Sequence, residues 1–402
     1  SINYDTIDPM EKHQITVGNI KLNATAKKYL NQIATSSRLT YGPFTKKLES
    51  KFAKLHHRRW AVFTSSGTGA LQAGLAVLKE VNNWQDGDEI LVPAVSFVTT
   101  ANIVYHLRLK PVFVDVELDT YNIDPDQIEK HITKRTKAII PVHILGLPAN
   151  MPAILKLAKK HNLKILEDSC DTMFVGIKNK KVGSFGDLAA FSTYVAHLLP
   201  TGVGGFLIGN SKKIEKLARS YIFHGRHTSY LSIDDDKKNS KQVMRNRFRF
   251  DRIGSHFRPT EMEAAIGLSM LEDNVYKKDL NKRKKLAKAL IKLLKPLEDR
   301  IQLPIAPKNF GHAYMMFTIL IKDKSINKWN FLKYLEKNGI DTRELLPLLN
   351  QPAYIKTFGN LENKYPVAKM INQRGFYFGC HPYMTKKDIH HISKTIHEFL
   401  SK

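Results

Sequence analysis

From about residue 60 onward, short strand-like runs alternate with helical stretches, and this alternation restricts the possible folds more than any other feature. The strand candidates recur about every 25 residues, at 60–63, 89–92, 111–115, 138–142 and 164–167. Between them lie stretches with apolar residues three and four positions apart, such as 69–80 and 151–161. This rhythm is typical of βαβ units, so we predict an α/β fold with a mostly parallel sheet covered by helices on both faces.

The pattern changes after residue 210, and residues 260–295 have the periodicity of one or two long helices. A second α/β stretch then supplies one strand candidate and two helices, at 314–321, 329–337 and 386–400. The 402 residues, 43% of them hydrophobic, are enough for two cores. We predict a large domain at 1–255 and a smaller C-terminal α/β domain at 256–402 that includes a long connecting helix.

The net charge of +26 at pH 7 makes nucleic acid the first partner to consider. Basic runs follow the predicted long helices, at 277–278, 282–285, 288, 292 and 295. These runs lack the interleaved aromatic residues of a nucleic-acid groove, so we interpret them as solvated outer faces and expect no nucleic-acid partner. The arginines within 245–258 flank a candidate site and are suited to attract an anionic, diphosphate-bearing substrate.

The number of cysteines indicates a reducing compartment, and the hydropathy disfavours a membrane protein. The two cysteines, Cys170 and Cys380, are too few for a disulfide framework or a four-thiolate metal site. The first residues lack the basic and apolar regions of a signal peptide. The most apolar long window, 188–208, is interrupted by His197 and Pro200, which disfavours a membrane helix. We expect a cytoplasmic protein without membrane contact, and the histidine spacing predicts no metal site.

Two short motifs follow strand candidates. The first, Ser-Ser-Gly-Thr-Gly at 65–69, opens a helix whose first amides, at Gly67 and Thr68, are placed to hold a phosphate. Small residues at such a turn also occur for structural reasons alone. The second motif is Asp168, directly after the strand at 164–167. Its carboxylate would either pair with a protonated ring nitrogen of a cofactor or merely cap the next helix. Neither motif alone shows whether the chain binds a cofactor.

A third motif occupies residues 190–205. Together the three resemble the sugar-nucleotide aminotransferases of the DegT/DnrJ/EryC1/StrS family, which are fold-type I pyridoxal phosphate (PLP) enzymes. The resemblance extends over nearly the whole chain and includes further motifs, at 39–43, 93–97, 141–143, 223–225, 254–261 and 351–354. It implies a fold-type I aminotransferase-like fold with a seven-stranded type of sheet, and a homodimer with shared active sites.

The resemblance also implies how the cofactor phosphate is held. Gly67 and Thr68 match the backbone phosphate cup, and the hydroxyl of Ser192 completes it. His256 stands where the family pattern has an asparagine that reaches the phosphate across a dimer interface. A histidine can still donate a hydrogen bond there, so His256 is included among the cofactor contacts.

Three further residues match contacts to the cofactor ring. Phe97 matches the aromatic residue that stacks on the ring, a contact that an apolar face makes at little entropic cost. Asp168 matches the partner of the pyridinium nitrogen, which keeps the ring an electron sink. Asp171 occupies the place usually given to an amide or imidazole near the ring hydroxyl.

Four residues are candidates for binding substrate. His224 and Arg258 match family positions near the substrate or near the carboxylate of the amino donor, which a guanidinium binds with two parallel bonds. An ordinary surface or inter-subunit role stays open for both. Arg38 and Tyr41 are candidate contacts to the sugar nucleotide.

The decisive departure from the family pattern is at position 197. Family aminotransferases carry a lysine there, in the spacing Lys-x-x-x-Thr-Gly-x-Gly-Gly, and its amine forms the internal Schiff base. This chain keeps the spacing but has His197, and residues 182–211 contain no lysine. Imidazole forms no stable Schiff base, yet with an ordinary pKa of about 6.5 it can move protons in both directions near neutrality.

A histidine at this position resembles the sugar 3-dehydratase branch of the family. One type within the branch carries a [2Fe–2S] cluster that needs four cysteine ligands, so two cysteines exclude it here. What is left resembles the iron-free type, which acts on a GDP-linked 4-keto-6-deoxy sugar with L-glutamate as amino donor.

The resemblance therefore implies a PLP- and pyridoxamine phosphate (PMP)-dependent C3 dehydratase with His197 as the catalytic residue. Its product would be a 3-deoxy-4-keto sugar for surface polysaccharides. Two alternatives stay open, namely a nucleotide-sugar aminotransferase of the same family and a non-catalytic nucleotide-sugar-binding homologue. The nucleotide base and the choice between hexose and heptose are not determined by the sequence.

Overall fold

A computed structural model describes residues 14–231, 234 and 241–401. Its larger sheet has seven strands: β1 Trp60–Thr64, β2 Glu89–Pro93, β3 Lys110–Val114, β4 Thr136–Ile139, β5 Lys164–Asp168, β8 Leu188–Ser192 and β9 Gly205–Gly209. The spatial order is β1-β9-β8-β5-β4-β2-β3, and β9 alone runs antiparallel to its neighbours. The prediction of an α/β fold with a mostly parallel sheet is confirmed.

The five strands predicted between residues 60 and 167 are all present. Their apolar runs are continuous rather than alternating because a parallel sheet covered on both faces buries every side chain, as in β1 and β2. Strands β8 and β9 had no strand prediction of their own. The segment between β5 and β8 adds a small hairpin of β6 Gly176–Ile177 and β7 Lys180–Lys181.

Helices cover both faces of this sheet. The first eight are α1 Ala24–Ala34, α2 Pro43–Leu55, α3 Gly67–Val81, α4 Thr99–His106, α5 Pro125–Ile128, α6 Met151–Lys160, α7 Lys212–Tyr221 and α8 Lys241–Asn246. Helix α3 packs against β8 and β9. Residues 67, 69–71 and 73–78 on it are buried, so the helix is packed into the protein from its first turn onward.

The predicted long helical region, 260–295, is two helices, α9 Glu261–Glu272 and α10 Val275–Leu294. The break falls at Asn274, which has a left-handed backbone (φ 55°) that α-helix geometry does not allow. Helix α9 packs on α1 and α2. The predicted division into two domains, at 1–255 and 256–402, stays a prediction.

A second, antiparallel sheet follows α10. Its strands are β10 Ile301–Gln302, β11 Met316–Ile321, β12 Thr342–Glu344 and β13 Gly375–Gly379, in the order β10-β11-β13-β12. The remaining helices are α11 Lys328–Lys337, α12 Pro352–Phe358, α13 Pro366–Arg374 and α14 Lys386–Leu400. Among the residues described, no helix has the length and apolar character needed to cross a membrane.

Candidate active site

The carboxyl ends of β1, β2, β5 and β8 meet at one edge of the large sheet, where ligands bind in folds of this kind. Asp168 ends β5 and is almost fully buried. Its carboxylate accepts hydrogen bonds from Oγ1 of Thr100 at 2.9 Å and from the amide of Cys170 at 3.2 Å. Burial nevertheless raises the pKa of Asp168. A cation beside this carboxylate would offset the cost of burying its charge.

The turn between β1 and α3 approaches Cys170 and Ser192 through Gly67. A Cβ on Gly67 would lie 2.7 Å from Sγ of Cys170 and 2.8 Å from Cβ of Ser192, so only glycine fits. Ser66 caps the helix by accepting a bond from the amide of Gly69 at 3.0 Å. The helix amino end therefore opens between Ser192 and the β5 end, as an anion site would require.

Thr68 and Phe97 extend the site toward α4. Oγ1 of Thr68 lies 3.1 Å from Oγ1 of Thr99, which joins the two strand-to-helix turns. Phe97 is 61% exposed in the turn between β2 and α4. A phenylalanine ring left this open at a ligand-binding edge has a face free for stacking.

His197 lies in the loop between β8 and β9. Two bonds close this loop, from the amide of Thr193 to the Gly204 carbonyl at 2.9 Å and from the amide of Thr201 to the Thr193 carbonyl at 2.8 Å. Within it the amide of His197 donates to the carbonyl of Tyr194 at 2.9 Å. These main-chain bonds hold the backbone of the loop that carries the imidazole.

The imidazole of His197 faces a carboxyl group. Nε2 lies 3.7 Å from Oδ1 of Asp171, and each side chain is 15% exposed. Nδ1 is buried and has no hydrogen-bond partner among the residues that the structure describes. Burial, with a smaller effect from Arg283, lowers the pKa of His197 to about 4. Burial and the nearby Asp168 raise the pKa of Asp171 to about 7. The imidazole is thus uncharged at neutral pH and able to accept a proton.

A buried pair behind Asp168 was not singled out in the sequence. Nδ1 of His143 accepts from the amide of Ala149 at 3.0 Å, so Nε2 carries the proton and donates to Glu167 at 3.0 Å. Both side chains are fully buried. The amide of His143 also donates to the carbonyl of Asp168 at 2.9 Å, so the pair supports the strand end that carries the site.

A second group of predicted residues lies around the segment 254–258. The carbonyl of Phe257 accepts from the amide of Ser65, which places this segment beside the turn before α3. The rings of His224 and His256 are 5.1 Å apart, and both residues are exposed. Cζ of Arg258 stands 3.6 Å from the centre of a neighbouring aromatic ring, that of Phe223.

Arg38 and Tyr41 lie near this second group. Tyr41, Arg219 and Arg258 line one small cavity, and Cζ of Arg219 is 5.5 Å from the centre of the Tyr41 ring. Arg38 donates to Asp234 at 2.5 Å and to the carbonyl of Tyr41 at 2.6 Å, so it is already engaged. The structure thus gathers the predicted residues into two neighbouring groups rather than one.

One residue of a basic run is an exception to the interpretation of these runs as solvated faces, while Lys282 and Lys285 beside it are exposed as expected. The run 282–285 was expected on a solvated face, but Arg283 within it is only 4% exposed and donates to the carbonyl of His197. Helix α10 presents this position to the second sheet and to the loop of His197. The periodicity of apolar residues did not indicate that Arg283 is buried, because an arginine is not counted as an apolar position.

Neither cysteines nor histidines form a metal centre in the part of the chain that the structure describes, where no group of three or more histidine, cysteine, aspartate or glutamate side chains is placed to hold an ion. Cys170 and Cys380 are both free thiols. His391 is occupied by a bond between its Nε2 and the carbonyl of Asn338, 2.8 Å apart.

A model of the DegT/DnrJ/EryC1/StrS aminotransferase family matches residues 21–397. The chain belongs to this family. PLP is the cofactor of the family. The site fits that group, because a glycine-lined helix end, an exposed aromatic ring and the buried carboxylate of Asp168 stand at one sheet edge.

Relatives in the DegT/DnrJ/EryC1/StrS family include enzymes of two kinds. An uncharacterized protein of Methanocaldococcus jannaschii is 32% identical over 91% of this chain and 92% of its own length. GDP-perosamine synthase of Escherichia coli O157:H7 is 29% identical, over 96% and 99%. GDP-4-keto-6-deoxy-D-mannose 3-dehydratase of E. coli O55:H7 is 28% identical, over 88% and 92%.

Solved structures agree with the fold. The E. coli GDP-4-keto-6-deoxy-D-mannose 3-dehydratase with bound hydrated PLP superposes with a TM-score of 0.87 at 26% identity, covering 96% of this chain and 100% of that one. Another structure of that dehydratase holds PLP and glutamate trapped together and has a TM-score of 0.86 at 26% identity, covering 95% and 99%.

Proposed function

We propose that this PLP-dependent, sugar-modifying enzyme is a C3 dehydratase of a 4-keto-6-deoxy nucleotide sugar, with L-glutamate as amino donor. The observation that carries the proposal is His197, which takes the place of the lysine of the family's aminotransferases. The similarity to GDP-4-keto-6-deoxy-D-mannose 3-dehydratase supports it and makes a GDP-linked sugar the first substrate to test. A 3-deoxy-4-keto product would serve surface polysaccharide synthesis.

The residues of the sheet edge would hold the cofactor. Gly67, Thr68 and Ser192 surround the helix end and bind the phosphate. Asp168 would pair with the protonated ring nitrogen, which would offset the cost of burying its carboxylate. The exposed face of Phe97 stacks on the ring.

The chemistry of the chain itself centres on His197. When bound, the cofactor carries the amino group that glutamate provides and serves as the electron sink. Nε2 of His197 accepts a proton as a neutral imidazole, and the imidazolium then donates that proton to the departing C3 hydroxyl, which leaves as water. Asp171, whose Oδ1 lies 3.7 Å from Nε2, would orient the imidazole and would contact the ring hydroxyl of the cofactor.

The rival reaction, transamination to an amino sugar, is favoured by the similarity to GDP-perosamine synthase. In the family's aminotransferases the lysine amine releases the amino sugar by forming the internal Schiff base again, and residues 182–211 contain no lysine. The lysine just before this window, Lys181, is turned away, because its Nζ donates to the carbonyl of Leu55 at 2.9 Å. Position 197 therefore favours dehydration.

Two variants of one position test the proposal. His197→Asn should bind PLP as the natural protein does but should no longer remove the C3 oxygen, because asparagine cannot carry the proton. In His197→Lys, borohydride should attach PLP covalently to the chain, whereas the natural protein gains no covalent PLP under the same treatment. Unchanged dehydration by His197→Asn, or covalent fixation of PLP in the natural protein, would refute the assignment.

We also propose a homodimer whose sites are shared, with His256 and the group around Arg258 completing the partner's site. Large apolar side chains near the site are at least half exposed, namely Leu39, Tyr194, Val203, Phe248 and Ile253, and a second copy would cover them. Mixing inactive His197→Asn with inactive His256→Ala should restore activity in about a quarter of the sites, because only mixed dimers contain an intact one. No recovery on mixing would refute sharing.

A further inference from the structure

A buried guanidinium stands directly behind the loop of His197. Arg283 projects from the middle of α10 and is 4% exposed. Its Nη1 donates to the carbonyls of Met315 at 3.0 Å and Cys380 at 2.6 Å, and its Nη2 donates to the carbonyl of His197 at 3.4 Å. The side chain therefore joins three separate segments of the fold.

The three acceptors have a consistent arrangement. Met315 immediately precedes β11, Cys380 immediately follows β13, and these two strands pair at Met316 and Gly379. The amino group Nη1 thus bonds to the end of the second sheet, and the other amino group, Nη2, bonds to the loop of the large sheet.

All three bonds go to main-chain carbonyls, so among the residues that the structure describes no carboxylate is bonded directly to this buried charge; Asp279 on the same helix acts on it electrostatically without a bond. Such an arrangement is energetically costly, and an apolar residue would fill the same space more cheaply. A buried charge kept beside a reactive histidine is therefore a candidate for a functional role.

We propose that Arg283 is a positioning residue for His197: it anchors the main chain of the catalytic loop to the second sheet and places a fixed positive charge behind the imidazole. The inference deepens the proposed function and rests on it for the role of His197. The fixed charge disfavours the imidazolium, so the ring starts each cycle as a base and gives up its proton readily afterwards.

Other groups around the ring act differently. Asp171 faces Nε2 from the segment after β5, and Tyr194 lies on the same loop with its ring 6.0 Å from the imidazole. Burial lowers the pKa of His197 and Arg283 lowers it further, whereas an ionised Asp171 would raise it. Removing the charge of Arg283 should therefore raise the pKa of His197.

The test measures His197 in the full-length protein without added cofactor or substrate. The protein is labelled with 13C at histidine Cε1, the resonance of His197 is assigned by its absence in His197→Asn, and its pH titration is followed by NMR. Arg283→Met should raise the pKa of His197 by roughly one unit, Arg283→Lys should leave it low, and Lys285→Met is the control. Lys285 is exposed on the same helix, so its loss removes equal charge without burial.

An unchanged pKa in folded Arg283→Met would overturn the proposal, since a role in packing alone moves stability and not titration. If Arg283→Met does not fold, Arg283→Gln replaces it. If neither folds, Arg283→Lys decides, because a raised pKa despite the retained charge refutes the proposal and an unchanged one supports it. The readout involves no turnover, so failure of the proposed dehydration would show separately as a product without C3 deoxygenation.

Discussion

The carboxylate of Glu167 accepts four hydrogen bonds in a fully buried site, and replacing it with glutamine is a severe test of how the strand end carrying Asp168 is held. Oε1 accepts from the amides of Phe185 and Gly186 at 2.7 and 2.6 Å. Oε2 accepts from the amide of Gly183 at 2.8 Å and from Nε2 of His143 at 3.0 Å. Although burial alone would raise the pKa of Glu167, the bond from His143 and the amides hold it below its usual value.

Glutamine can accept at one oxygen only. Its amide nitrogen would face two donors, so two bonds to a charged acceptor are lost, each worth about 1.5–3 kcal/mol. The loss is compounded because the two donors stay buried and unpaired. We therefore expect Glu167→Gln to lower the free energy of unfolding by about 3–6 kcal/mol.

Chemical denaturation at neutral pH measures this free energy. The matched control is Glu129→Gln, where the side chain is 46% exposed and bonded to Lys160 and His161 at the surface. The control should show no measurable change, because solvent screens exposed pairs. A loss below about 1 kcal/mol for Glu167→Gln would refute the view that this carboxylate holds the strand end.

Three further outcomes are expected. Gly67→Ala should weaken PLP binding at least about tenfold in a fluorescence titration, because its methyl group would collide with Cys170 and Ser192; unchanged affinity would contradict the phosphate-cup assignment. Asp168→Asn should slow the absorbance change on adding glutamate by about 100-fold, because an amide does not hold a protonated ring nitrogen; an unchanged rate would remove Asp168 from that role. The pKa of His197 is about 4 in the folded protein and about 6.5 in the unfolded chain, so the unfolded chain takes up the proton first and the protein loses stability as the pH falls from about 6.5 to 4. In denaturation experiments below pH 4, His197→Asn should therefore lose about 3 kcal/mol less free energy of unfolding than the natural protein does. Equal losses would contradict a buried neutral imidazole.

Local patterns were sufficient to predict much of the large sheet. Its first five strands are apolar runs bounded by turn residues, so composition and length identify them without tertiary information. Strands β8 and β9 are equally buried but flank the glycine-rich loop of His197, and that loop obscured their ends. The predicted strand at 314–321 begins at Met316, because Tyr314 has a left-handed backbone (φ 48°).

Contacts between distant segments were beyond prediction. The buried pair of His143 and Glu167 joins residues 24 positions apart, and Arg283 reaches a carbonyl 86 positions away. Charge in a sequence indicates exposure on average, so a buried arginine inside a basic run gives no local sign of its position. Gly67, Asp168 and His197 were found because the order and spacing of their motifs, rather than any three-dimensional contact, carry the resemblance.

The mass of the product tests the central claim most directly. The natural protein is incubated with PLP, an excess of L-glutamate and GDP-linked 4-keto-6-deoxy-D-mannose, and the nucleotide sugar is analysed by mass spectrometry, with CDP-, dTDP- and UDP-linked 4-keto sugars in parallel. We predict a 3-deoxy-4-keto product that has lost the C3 oxygen, with ammonia and 2-oxoglutarate released in step with it. A 4-amino sugar that retains the C3 oxygen would contradict the account and assign the protein to the aminotransferases.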